Sequence, residues 1–204
     1  MNDFWKLEKE IRSVPENEMD KFLENVPRAR LTQVCPCFQL SLFHFPIPVR
    51  VACKLFFMGL DINGPSAIGN TPLHETTQRA VVSYDTRSES CTLIRLYLAF
   101  GANQQIKNFM KVTPFEYCHS VSVAKVFISN GSRLKETSIL GTMASEEEWD
   151  ELVGFQDCII GCRDVIVTLL GLKKSRNLLP RLDRFLVQQV LAVEIWSTRE
   201  KAWQ

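Results

Sequence analysis

Apolar residues recur at three- and four-residue spacing along most of the chain, and that period predicts helices separated by short polar or proline-containing breaks. Met1 to Asn25 reads as two helices broken at Pro15. A further helix is expected within Leu31 to Phe43, then a connecting loop through Phe43-His44-Phe45-Pro46-Ile47-Pro48 and an apolar helix from Val49 to Met58. Helical runs follow at Leu93 to Phe100 and Val123 to Ser129, with Ser83 to Ser90 expected as a polar loop before the first of them. Beyond Leu140 two longer helices are predicted, around Trp149 to Leu172 and Leu182 to Trp203. The second carries Leu182, Phe185, Leu186, Gln189, Val190 and Val193 on one face. Ser145 followed by three glutamates is a strong start for the first, because it supplies a cap and negative charge at the positive end of the helix dipole.

Some of these elements repeat in order. Thr71-Pro72 and Thr113-Pro114 each open a helix, with threonine as N-cap and proline where no N–H is needed. Gly59, Gly101 and Gly131 each follow an apolar helical run and supply the stop. A unit of helix, turn, helix and glycine cannot bury its own apolar face, so neighbouring units must stack.

Gly59-Leu60-Asp61-Ile62-Asn63, followed by Gly69-Asn70-Thr71-Pro72-Leu73-His74, resembles the turn-and-helix signature of ankyrin repeats. The resemblance implies that Thr71 and His74 form a structural hydrogen-bond pair, which makes His74 part of the scaffold. Thr113-Pro114-Phe115-Glu116 keeps the opening but loses the histidine. Thr71 to Thr113 spans 113 − 71 = 42 residues, more than the roughly 33 of an ankyrin unit. The expected fold is therefore all-α: a solenoid of stacked helix-turn-helix units with a C-terminal helical segment. Residues 1–27 would form an N-terminal cap, 28–138 three to four degenerate repeats, and 139–204 the C-terminal segment.

Composition limits the partners. The sequence has 24 Lys+Arg against 23 Asp+Glu, a net charge of +1, so no global field favours nucleic acid. Apolar runs such as Leu55 to Met58 and Val165 to Leu170 fall far short of the about 20 residues that span a bilayer. The charged stretch Met1 to Lys9 does not read as a secretory signal. A cytoplasmic, monomeric protein is expected, with delivery into a host cell open if a virus or intracellular pathogen makes it. Seven cysteines, with Cys35 near Cys37 and Cys158 near Cys162, lack the doubled spacing of structural zinc and read as reduced thiols. No metal or other cofactor is expected.

Phosphate-binding glycine loops, a Gly-x-Ser-x-Gly elbow and a His-Glu-x-x-His helix are absent from the sequence. A Cys118–His74 meeting across stacked repeats has no motif behind it, and Cys118 and His119 diverge as neighbours on a helix. The expected function is protein binding by an adaptor or scaffold, through the concave face and the finger loops 64–70 and 104–112. The ankyrin resemblance puts Ile68, Asn70, Phe109, Met110 and Lys111 on that surface, with Glu75 and Glu116 at the adjoining helix starts. Leu178-Leu179-Pro180 and the helix after it resemble the start of an F-box-like segment, which implies recruitment of a ubiquitin ligase. The basic stretch Lys173 to Arg184 reads as a solvated helix end or as a phosphate or acidic-partner contact. A third alternative is an enzyme using an acid or thiol of the C-terminal helices, where Glu146 to Glu148, Asp150 and Glu151 cluster.

Overall fold

The computed structural model describes residues 3–80, 84–135 and 138–169. Among these the chain is helical, and the only strand-like pairing is an isolated bridge between Cys35 and Leu40. Helix α1 (Asp3–Ser13) buries Phe4, Leu7 and Ile11 along one stripe. Pro15 ends it, and a single 3-10 turn at Glu16–Glu18 leads into α2 (Met19–Asn25). Pro27 starts the one-turn α3 (Arg28–Leu31). Arg30 reaches back to α1 and grips Asp3 at 2.9 and 3.0 Å, which places an anion–cation pair at the start of α1.

Between Leu31 and Phe43, where a helix was expected, the chain instead makes the Cys35–Leu40 hairpin and enters a 3-10 turn at Leu42–His44. Pro36 and the left-handed Gln39 (φ 53°) explain the difference, since neither suits a helix interior. Helix α4 (Val49–Phe57) follows Pro48 and buries Val51, Ala52 and Leu55. Helix α5 (Pro72–Arg79) is next. Helix α6 (Tyr84–Ala99) takes in most of the expected polar loop 83–90, and its C-terminal half is anchored by the buried Leu93, Ile94, Tyr97 and Leu98. Thr113-Pro114 opens only a 3-10 turn, Pro114–Tyr117, in place of a full helix. Helices α7 (Val121–Ser129), α8 (Ile139–Met143) and α9 (Glu146–Leu169) complete the described chain.

These elements lie in two rows. One runs from the 3-10 turn at Leu42–His44 through α5 and the 3-10 turn at Pro114–Tyr117 to α8, each packed on the next. The other runs through α2, α4, α6, α7 and α9 in the same way, and α5 packs on α6 to join the rows. Their shared core holds Leu42, Phe43, Leu55, Leu73, Ile94, Tyr97, Val123 and Phe127. Tyr97 is buried to its tip. Its hydroxyl donates to the Phe43 carbonyl at 3.0 Å and its ring meets Phe43 edge-on at 5.5 Å. At the far end Lys125 pairs with Glu151 and sits over Phe155, and the Leu134 N–H donates to Gln156 Oε1 at 2.8 Å. These contacts fix α9 on α7. No helix among the described residues is long and apolar enough to cross a membrane. The F-box-like segment, the basic stretch 173–184 and the helix expected over 182–203 lie outside the described residues.

Candidate binding surface

Three similar caps set the surface. At Thr71 the backbone N–H donates to His74 Nδ1 at 3.1 Å, with the hydroxyl 2.8 Å from the same atom. Since Nδ1 accepts, the ring proton sits on Nε2, which donates to the Val112 carbonyl at 3.0 Å. Ser41 and His44 do the same thing 71 − 41 = 30 residues earlier. There Nδ1 takes the Ser41 N–H at 3.1 Å and Nε2 donates to the Asn70 carbonyl at 3.1 Å. In both histidines burial holds the pKa below the ordinary value of 6.5, so the neutral ring that this network needs is favoured.

The third cap has reversed polarity. Glu116 accepts from the Thr113 N–H at 2.6 Å and its hydroxyl at 2.9 Å. Its other oxygen takes Lys135 Nζ at 2.9 Å. Burial pushes this carboxyl up, but the Thr113 donors and the Lys135 ammonium outweigh it and bring it down to about 2. A donor histidine suits a carbonyl ahead of it, and an acceptor carboxylate suits a cation.

Before each of these caps the chain folds into a narrow hairpin, the finger. The Cys35, Ser66 and Asn108 N–H groups donate to the Leu40, Asn70 and Val112 carbonyls at 2.8, 2.8 and 3.0 Å. Each finger turns on a left-handed residue: Gln39, Gly69 and Lys111. Adjacent fingers are also joined by backbone, from Ala67 N–H to the Phe38 carbonyl (2.8 Å) and from Phe109 N–H to the Ile68 carbonyl (3.3 Å). The third finger is braced from inside. Asn108 Nδ2 donates to Asn70 Oδ1 at 2.8 Å and to the Tyr117 hydroxyl at 3.0 Å, while Asn108 Oδ1 takes the Met110 and Val112 N–H groups.

What the fingers present is apolar. Ile68 is 57%, Phe109 77% and Met110 65% exposed, and Phe38 at the first finger is 56% exposed. Of the residues expected at the surface, Ile68, Phe109, Met110 and Lys111 are there together. Asn70 is not. It is 2% exposed, its carbonyl holds His44 and its side chain bridges Glu75 and Asn108, so its role is structural. Glu75 and Glu116 are half-buried and already bonded, Glu75 to Asn70 and Glu116 to Thr113 and Lys135. Phe38 is not among the expected residues, because the sequence predicts a helix where the first finger lies. The signal was present in Ser41-x-x-His44, which has the same spacing as Thr71-x-x-His74.

Cys118 and His74 are otherwise engaged. Cys118 is buried, its Sγ lies 3.3 Å from the Ser120 carbonyl, and burial pushes the thiol up to about 12. Both ring nitrogens of His74 are committed to the scaffold. No group of three or more metal-ligating side chains forms among the described residues. Searches against protein families and against curated proteins returned no match for this sequence.

Proposed function

We propose that this chain is a protein-binding module of ankyrin type, an adaptor or scaffold that holds a partner on its finger tips and the neighbouring inner turns. One observation carries the proposal: four large apolar side chains, Phe38, Ile68, Phe109 and Met110, stand in solvent on hairpins that are internally braced and bonded to one another. Solvated apolar groups on mobile loops would mean little. Here the tips are held in a row by backbone hydrogen bonds, and order of that kind on an apolar patch suits recognition. The repeated cap, finger and glycine stop support the ankyrin resemblance, with Ser41–His44 as a further copy of its cap.

Affinity purification of the full chain from its native cell tests the proposal. The Phe109→Ser/Met110→Ser variant should unfold at the wild-type urea concentration, since both side chains are solvated, yet recover at most about a tenth of the wild-type partner. That loss corresponds to about 1.4 kcal/mol or more of interface energy. Full recovery by the variant would remove the finger tips as the binding surface.

A further inference from the structure

The row of fingers stops one short. Eleven residues separate Gly59 from Thr71 and eleven separate Gly101 from Thr113, but only six separate Gly131 from Ser138. Ser138 is the next cap in the series. Its Oγ accepts the Gly141 N–H at 3.2 Å at the start of α8, which packs beside the Pro114–Tyr117 turn as that turn packs beside α5. Five residues are therefore missing from the segment that forms the finger in the two preceding spans.

Two features mark the gap. At the tip, the Phe38 and Ile68 carbonyls each accept an N–H from the following finger, and Met110 holds the equivalent position next to left-handed Lys111. The Met110 carbonyl accepts no hydrogen bond from any described residue. At the base, where a fourth finger would rest on the Thr113 cap, there is a recess of about 230 Å³ lined by Gln104, Thr113, Phe115, Glu116, Ser132 and Lys135. The charge in this stretch is mostly positive. From 101 to 138 the sequence carries Lys107, Lys111, Lys125, Arg133 and Lys135 against Glu116 and Glu136. Lys107, Lys111 and Arg133 are exposed, and Lys125 is paired with Glu151.

We propose that an extended acidic segment of the partner protein docks in this gap and takes the place of the absent finger. It rests on the protein-binding reading above and gives that partner a chemistry. A backbone N–H of the segment donates to the Met110 carbonyl. Alternate side chains of an extended chain point to opposite faces, so one set covers Phe109 and Met110 while the other carries carboxylates toward Lys107, Lys111 and Arg133. A basic segment would meet the same cations and be repelled, and a helix has free N–H groups only in its first turn, so it could not lie along the finger as a paired extended chain does.

Selection of a displayed library of random 12-residue peptides on the full-length protein tests this directly. Enriched peptides should combine Asp or Glu with Leu, Phe or Met, and binding of the synthetic peptides should weaken as salt is raised. In a scan of single N-methyl groups along the best peptide, one position should lose about tenfold in affinity while its neighbours change little, because one backbone donor is removed with its side chain kept. Lys107→Glu/Lys111→Glu should weaken the peptide by at least as much, without lowering the urea midpoint. Enrichment of basic or uncharged peptides, no enrichment, or a flat N-methyl scan would each overturn the proposal. If the native partner is lost with Phe109→Ser/Met110→Ser but kept with Lys107→Glu/Lys111→Glu, the binding surface stands and the acidic segment is wrong.

Discussion

Protonation of His44 or His74 would put a hydrogen on Nδ1, where a backbone N–H and a hydroxyl already point. The proton that binds the unfolded imidazole at about pH 6.5 is therefore resisted in the folded chain. Because the folded values are depressed, the unfolded chain takes up protons first as pH falls. Stability from these caps is complete above about pH 6.5 and declines through the window below it, toward the folded values. Urea midpoints should be lower at pH 5.5 than at pH 7.5, and a His44→Gln/His74→Gln variant should show a smaller difference between the two. Equal midpoints in the wild type would mean the rings are not held neutral. Glu116 acts in a lower window. Its folded value of about 2 lies below the ordinary 4.5, so its contribution is present above pH 4.5 and fades as pH falls toward 2. Lys135→Met removes one of the groups that depress it, and carboxyl NMR should show the Glu116 titration move up toward 4.5. A titration that stays near 2 would assign the whole depression to Thr113.

At the scale of elements, the fingers explain why some positions tolerate no change. Gly69 has φ 79°, and a Cβ there would lie 2.8 Å from the Phe109 ring and 2.9 Å from its backbone nitrogen. Gly69→Ala should cost about 1–3 kcal/mol through strain and the displaced third finger. It should also weaken partner binding although residue 69 itself is buried, and a stability change of less than about 0.5 kcal/mol would count against this packing. The sequence made some elements plain and hid others for identifiable reasons. Thr71-Pro72 carries its own cap, and the apolar runs of α4, α6 and α7 end in the glycines Gly59, Gly101 and Gly131, so they were legible. The first finger was not, because Cys35 to Leu40 is short, has one backbone bridge and turns on a glutamine where glycine would have announced it. Residues 84–90 misled in the opposite direction. Their serines, threonine and charges resemble a loop, yet the apolar half of α6 extends the helix through them. Nor did the sequence separate exposed Ile68 from buried Asn70, two residues apart, since that depends on how His44 and Asn108 converge on the asparagine.

Across the described residues, α1 to α3 cover the end of the rows next to the first finger. Phe4 and Trp5 of α1 pack on Phe45 at centroid distances of 5.7 and 5.6 Å, and Arg30 ties α3 to the start of α1. In this arrangement α1 to α3 supply to the first finger and cap what each later unit receives from its predecessor. Phe4 is 1% exposed, so Phe4→Ala removes a fully buried ring, at a cost of about 3–5 kcal/mol. Phe4 lies far from the third finger in the order of packing. On the proposed ankyrin-type stacking, in which units touch only their neighbours, the loss is felt first at the uncovered end. Hydrogen exchange should therefore quicken most in α1 to α4 and least in α7 and α9. Uniform acceleration throughout would instead mean that the rows unfold as one unit. The finger tips would then share the stability of the distant cap, and partner binding at Phe109 would protect α1 as strongly as the fingers themselves.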